Sequence, residues 1–133
     1  MTRPLRILLV DDHHDGADSL SELLRLLGYT AQAVYGSSAA LATVADEQPD
    51  VVIADIGMPH LNGYELAARV RALYRQTPLL IALTGYAHAE VREECLKAGF
   101  DHFFVKPAEP AEILTVLRQH SERLAQEIPN QSV

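Results

Sequence analysis

The 133-residue chain has a single cysteine, few aromatic side chains (6%), less basic than acidic charge and no long apolar run. Each shortage closes off a class of protein. Cys95 has no second cysteine with which to form an internal disulfide or a thiolate metal cluster. Eleven basic against eighteen acidic side chains give a net charge of −7. A surface that negative repels phosphate backbones, so no nucleic-acid partner is expected. The longest apolar runs, Val51-Val52-Ile53-Ala54 and Leu79-Leu80-Ile81-Ala82-Leu83, fall far short of the ~20 residues that a membrane span needs, and no membrane partner is expected. Met1-Thr2-Arg3-Pro4 lacks the basic-then-apolar plan of a secretory leader, which leaves the cytoplasm as the expected location.

What is present suits one globular unit: 48% of residues are hydrophobic, and the length falls in the usual single-domain range of roughly 100–150 residues. We expect one domain over residues 1–127 and a short polar tail over 128–133, frayed from Pro129. Short apolar runs alternate with amphipathic stretches. Strands are predicted at Arg6–Val10, Thr30–Val34, Val51–Asp55, Leu79–Leu83 and His102–Val105, several of them apolar nearly throughout, as parallel strands covered on both faces must be.

The intervening helices have legible ends. The first opens after Asp15, carries Leu20, Leu23, Leu24 and Leu27 on one stripe and stops at Gly28. The second follows Ser37-Ser38, presents Leu41, Val44 and Ala45 and must end before Pro49. The third opens at Asn62, with Glu65 at capping-box spacing, and buries Leu66, Val70 and Leu73. The fourth places Val91, Cys95 and Ala98 on one face, which makes Cys95 a core residue, and ends at Gly99 with Phe100 next. The fifth starts near Pro110 and runs through Ile113, Leu117 and Leu124. Alternation of this kind predicts an α/β fold: a doubly wound five-stranded parallel sheet of flavodoxin-like order 2-1-3-4-5, with five helices.

In that architecture ligands sit beyond the carboxyl ends of the strands, at the switch point between strands 1 and 3. Asp11-Asp12 follow strand 1, Asp55 ends strand 3, Thr84-Gly85 end strand 4, and Lys106-Pro107 end strand 5. Carboxylates gathered within about 4–5 Å repel by several kcal/mol per pair at an effective dielectric near 20, unless a cation neutralises them. Oxygen donors select a hard ion, and a small carboxylate set suits Mg2+, with Mn2+ as a second candidate. Such an ion lets a phosphoryl oxygen complete its coordination. A carboxylate can then take the phosphoryl group, with the Lys106 ammonium and the Thr84 hydroxyl on its other oxygens.

Val10-Asp11-Asp12, Asp55-Ile56-Gly57-Met58-Pro59, Asn62-Gly63-Tyr64-Glu65, Leu83-Thr84-Gly85 and Val105-Lys106-Pro107 resemble the response-regulator receiver family of two-component signalling, over about residues 5–120. The resemblance implies that Asp55 is the phosphoacceptor, that Asp12 ligates Mg2+ directly, and that Asp11 acts mostly through water. It puts the Gly57 carbonyl on the remaining protein ligand and Thr84 and Lys106 on the phosphoryl oxygens. Phe103 falls on the aromatic switch position, and the Lys106-Pro107 bond is implied to be cis. Gly57 and Tyr86 flank the path of a hydrolytic water and bear on the lifetime of the phosphorylated state. Implied partners are a histidine kinase or histidine phosphotransfer protein, and a downstream protein docking on the helix 4–strand 5–helix 5 face. Beyond its own phosphoryl transfer and slow autodephosphorylation, no enzymatic activity is implied. Since no output domain is expected after residue 127, a stand-alone or hybrid-kinase receiver is implied.

Other functions fit less well. A flavodoxin-like carrier needs a Ser/Thr/Gly-rich loop where Asp11-Asp12 stand, and a dinucleotide enzyme needs glycines there. An aspartate-nucleophile phosphatase carries an acid where Gly57 stands. A receiver-shaped interaction module working without phosphorylation is the remaining alternative. His13-His14 are expected in a solvated loop, pointing apart. His60, His88, His102 and His120 are expected to be exposed or paired with backbone. Of Phe103 and Phe104, which alternate across a strand, the first is expected at the switch and the second in the core.

Overall fold

The computed structural model describes residues 4–56, 62–74, 77–85 and 89–131. The chain runs β1 (Arg6–Val10), α1 (His14–Leu26), β2 (Thr30–Val34), α2 (Ser37–Glu47), β3 (Val51–Asp55), α3 (Gly63–Leu73), β4 (Leu79–Thr84), α4 (Ala89–Ala98), β5 (His102–Val105) and α5 (Pro110–Gln131). All five strands pair in parallel in the order β2-β1-β3-β4-β5, the predicted doubly wound sheet. No helix among the described residues is long and apolar enough to cross a membrane.

Period-2 alternation sends each strand's side chains to two cores. Leu8, Val10, Val52, Ala54, Leu80 and Ala82 meet α2, α3 and α4 on one face. Ile7, Leu9, Val51, Ile53, Leu79 and Ile81 meet α1 and α5 on the other. Cys95 is fully buried in the first core, as expected, and burial pushes its thiol pKa up.

The helices follow their predicted spans more closely than their predicted stripes. α1 opens one residue before Asp15, because the backbone N–H of His13 donates to Asp11 Oδ1 (3.0 Å) and Ala17 N–H closes the first turn on the His13 carbonyl. Its buried stripe is Ala17, Ser21 and Leu24, which leaves Leu27, one position aside, 49% exposed. α2 buries Ala40 and Val44, so Ala45 falls on the solvent side. α3 buries Gly63, Leu66, Ala67 and Val70; the next member of that stripe is Tyr74, which packs on the core, while Leu73 is 68% exposed. α5 buries Ile113, Leu117 and also His120, one turn further along the same face, so of its two expected settings exposure does not hold. Its helical backbone extends to Gln131.

Arg71 ties α3 to the start of β4 and to the turn before β5. Its guanidinium donates to the Gly99 carbonyl (3.0 Å), the Pro78 carbonyl (2.8 Å) and Asp101 Oδ2 (2.6 Å). Asp101 Oδ2 also accepts the Leu80 backbone N–H at 2.8 Å. Gly99, at φ +113°, adopts a left-handed conformation in which an added Cβ would also meet Arg71 Cγ at 2.6 Å.

Candidate functional site

The carboxyl ends of β1, β3, β4 and β5 converge. Asp55 is the last residue of β3 and pairs in register with Leu83; Thr84, the next residue of β4, pairs with Val105. Lys106 follows immediately, its N–H donating to the Thr84 carbonyl (2.6 Å), and the Lys106-Pro107 bond after it is cis. Its ammonium reaches back over the sheet edge and donates to Asp55 Oδ2 at 2.9 Å and to Asp11 Oδ2 at 3.5 Å. Asp11, Asp55 and Thr84 are buried, whereas Asp12 keeps 33% of its side chain exposed.

The third helix supports this site. Asn62 Oδ1 caps α3 by accepting the Glu65 N–H (3.0 Å), and the Gly63 N–H donates to the Ile56 carbonyl (3.3 Å). A Cβ on Gly63 would lie 2.5 Å from Ile56 Cα and 3.0 Å from the Asp55 carbonyl oxygen. The helix therefore starts directly against the backbone that carries Asp55. The sequence marks Gly63 as part of a helix start, but its contact with the end of β3 is visible only in the fold.

Three carboxylates face one ammonium, so the site retains an acidic excess. Burial pulls the Lys106 pKa down, but hydrogen bonding and charge attraction from Asp55, with Asp11 contributing, more than offset it, and the net shift is upward from 10.5. A lysine whose folded pKa is raised stabilises the fold fully below its unfolded pKa and loses that contribution as pH rises through the folded value. Under metal-free conditions, the stability difference between wild type and Lys106→Gln should be constant through neutral pH and shrink above the ordinary lysine range near 10.5. Urea midpoints measured in chelator from pH 7 to 12 test this; a difference that persists unchanged at the alkaline end would rule out the ion pair as its source.

Ligand atoms of Asp11, Asp12, His13 and Asp55 all lie within 4.8 Å of one another. Asp12 Oδ1 is buried without a hydrogen-bond partner. Crowded carboxylate oxygens, one of them unsatisfied, fit a hard divalent cation, and Asp11, Asp12 and Asp55 would hold it. Gly57, predicted to add its carbonyl, lies outside the described residues, as do Tyr86, His60 and His88.

His13 lies in the loop before α1 and is solvated, as expected. Its side chain is 79% exposed, yet Nδ1 sits 3.4 Å from Asp11 Oδ1 and 3.3 Å from Asp12 Oδ1. His14 does point elsewhere, stacked on Tyr35 with ring centroids 3.8 Å apart. Phe103 and Phe104 take opposite faces of β5, the first against the core containing Cys95 and Phe100, the second against the α1–α5 core. Both are only half-buried, so Phe104 is less enclosed than expected.

The sequence pattern described as "Response regulator receiver domain" matches residues 7–118. A 14.6 kDa protein from the sodA1 3′ region of Leptolyngbya boryana is 36% identical over 115 residues, covering 86% of this chain and 88% of that protein. Sensor histidine kinase RcsC of Escherichia coli K12 is 33% identical over 120 residues; the match takes in 90% of this chain but only 12% of the kinase. A solved CheY-like response regulator receiver domain protein from Methanospirillum hungatei JF-1 superposes with a TM-score of 0.84 at 29% identity, covering 93% of this chain and 98% of its own. With the acidic switch point, the opposed lysine and the 2-1-3-4-5 sheet, these likenesses lead to one conclusion: the chain belongs to the response regulator receiver domain family.

Proposed function

We propose that this receiver accepts a phosphoryl group on Asp55 from a histidine kinase or histidine phosphotransfer protein and in response remodels a partner-binding surface. The observation that carries the reading is the buried Asp55 carboxylate at the switch point, held 2.9 Å from the Lys106 ammonium beside two further acids. A carboxylate buried that far is retained against its desolvation penalty by its cation.

In the proposed reaction an Asp55 oxygen forms a bond to phosphorus as the bond from phosphorus to the donor nitrogen breaks, and the donor imidazole leaves with that electron pair. Lys106 and the Thr84 hydroxyl take phosphoryl oxygens, and Asp11 and Asp12 would hold Mg2+ together with Asp55 and, as the family resemblance implies, the Gly57 carbonyl. The ion, when bound, offsets the acidic charge and takes a phosphoryl oxygen. Mn2+ serves the same role. Hydrolysis of the product is a slow reaction of the same site.

Output follows from Thr84 and Phe103. A hydroxyl drawn towards the phosphoryl group vacates space beside the neighbouring strand, and the Phe103 ring moves to use it. Phe103 lines a cavity of about 230 Å³ together with Arg92, Leu96, Asp101 and His102, and Leu96 is 56% exposed on that side. Those features support docking of a downstream protein on the α4–β5–α5 face. The net charge of −7 favours a protein over a nucleic acid as that partner, and a cytoplasmic setting suits both kinase and partner.

Purified protein incubated with Mg2+ and a small acyl phosphate should gain one phosphoryl group by intact mass, and Asp55→Asn should gain none. Equal labelling of the two proteins would move the acceptor elsewhere. Failure of the wild type to label would return the chain to a phosphorylation-independent interaction module.

A further inference from the structure

We infer that His13 is a nitrogen donor to the metal centre of Asp11, Asp12 and Asp55, so that this receiver takes borderline divalent transition ions of the Ni2+ and Zn2+ kind in preference to Mg2+. The inference rests on the metal site proposed above and concerns which ion that site selects.

His13 is the residue before α1, with extended backbone at φ −89° and ψ 106°. Its N–H donates to Asp11 Oδ1 at 3.0 Å, which fixes the residue against the first acid. Nδ1 then lies 3.4 Å from Asp11 Oδ1 and 3.3 Å from Asp12 Oδ1, and the four ligand atoms, Asp55 included, stay within 4.8 Å of one another. Ligands at bond lengths near 2.1 Å on an octahedral ion are about 3.0 Å apart when adjacent and about 4.2 Å apart when opposite. The separations of Nδ1 from Asp11 and Asp12 are close to the adjacent spacing. Only small movements are needed for one ion to touch all four groups, and an exposed imidazole is free to make them.

Asp12 Oδ1 is buried without a hydrogen-bond partner, so a ligand position already faces the imidazole. The neighbouring imidazole is committed elsewhere: His14 stacks on Tyr35, whose hydroxyl donates to Asp18 Oδ1 at 2.6 Å. Chemistry sets the preference. Carboxylate, carbonyl and water oxygens suit Mg2+, whereas an imidazole nitrogen adds little for Mg2+ and much for ions later in the first transition row.

Isothermal titration of the full chain at pH 8 with Mg2+ and with Ni2+ tests this, using wild type, His13→Ala, His13→Gln and His14→Ala. Wild type should bind Ni2+ about a hundredfold or more tighter than Mg2+, and both His13 variants should weaken Ni2+ about tenfold or more while changing Mg2+ less than about twofold. His14→Ala should match wild type. Electron spin-echo spectra of the Cu2+-loaded protein should show modulation from an imidazole nitrogen that His13→Ala removes. Equal weakening of Ni2+ and Mg2+, no weakening of Ni2+, or modulation that survives in His13→Ala each overturns the assignment. Ni2+ binding that depends on His13, without any Mg2+ binding, would uphold it and remove Mg2+ from the proposed function. Absence of binding by either ion would remove both.

Discussion

Replacing Gly63 by alanine should destabilise the domain by about 2–3 kcal/mol, the upper part of the range for forcing an extra carbon into packed structure. The new Cβ would stand 2.5 Å from Ile56 Cα, 2.9 Å from Ile56 Cγ2 and 3.0 Å from the Asp55 carbonyl oxygen. Two of those neighbours are backbone, so rotation of a side chain gives no relief. Alanine's better helix propensity returns at most about 1 kcal/mol. The remaining strain must displace either the start of α3 or the end of β3, and the second carries Asp55. Gly63→Ala should therefore also lower the rate of Asp55 phosphorylation, although the residue itself bears no reactive group. Gly85→Ala is the matched control, with no atom within 4 Å of its added Cβ, and should stay within about 0.5 kcal/mol of wild type. Urea unfolding separates the cases. A Gly63→Ala midpoint equal to that of the control would mean that α3 does not rest on the end of β3.

That contact illustrates which features could be read from the chain before folding. Strand runs such as Val51–Asp55 are apolar over consecutive residues, and their burial on both faces follows from composition alone. The doubly wound topology follows from alternation, and topology in turn brings Asp11, Asp55 and Lys106 to one edge from far apart in sequence. Stripe membership is less legible. Leu27, Ala45 and Leu73 each lie one position off a buried row, and a rotation of that size depends on how the helix sits on the sheet. Polar partnerships are less legible still. Arg71 finds carbonyls and a carboxylate at Gly99, Pro78 and Asp101, none of which carries a local signal. His13 reads as a solvated residue and is one, but only the fold shows that the turn at Asp11 brings its ring beside two acids. His120 occupies a position on the α5 stripe where periodicity, more than residue type, decides burial.

The acids should also reveal themselves through stability, without any signalling partner. Asp11 and Asp55 both lie within reach of Lys106, so removing either carboxylate also removes an attraction. Asp12 differs: among the described residues no lysine or arginine pairs with it, and its one ion-pair neighbour is the His13 imidazole at 3.3 Å. Its net electrostatic environment in the metal-free protein is therefore repulsive. Asp12→Asn keeps the shape of the side chain and removes one charge, and should stabilise the metal-free domain by about 1–3 kcal/mol after discounting the Coulomb energy for solvent exposure. Mg2+ acts in the opposite direction. An ion that binds only the folded state stabilises it by RT ln(1 + [L]/Kd), about 2.7 kcal/mol at a hundred times Kd. Wild type should gain that increment, and Asp12→Asn, having lost a charged ligand, should gain much less. Four urea titrations at pH 8, each protein with chelator and with saturating Mg2+, give the complete comparison. The expected result is that the variant is the more stable protein in chelator and that its advantage is reduced or inverted in Mg2+. Were Asp12→Asn destabilising in chelator and equal to wild type in its response to Mg2+, Asp12 would be neither a source of repulsion nor a ligand, and the metal site would have to be built without it.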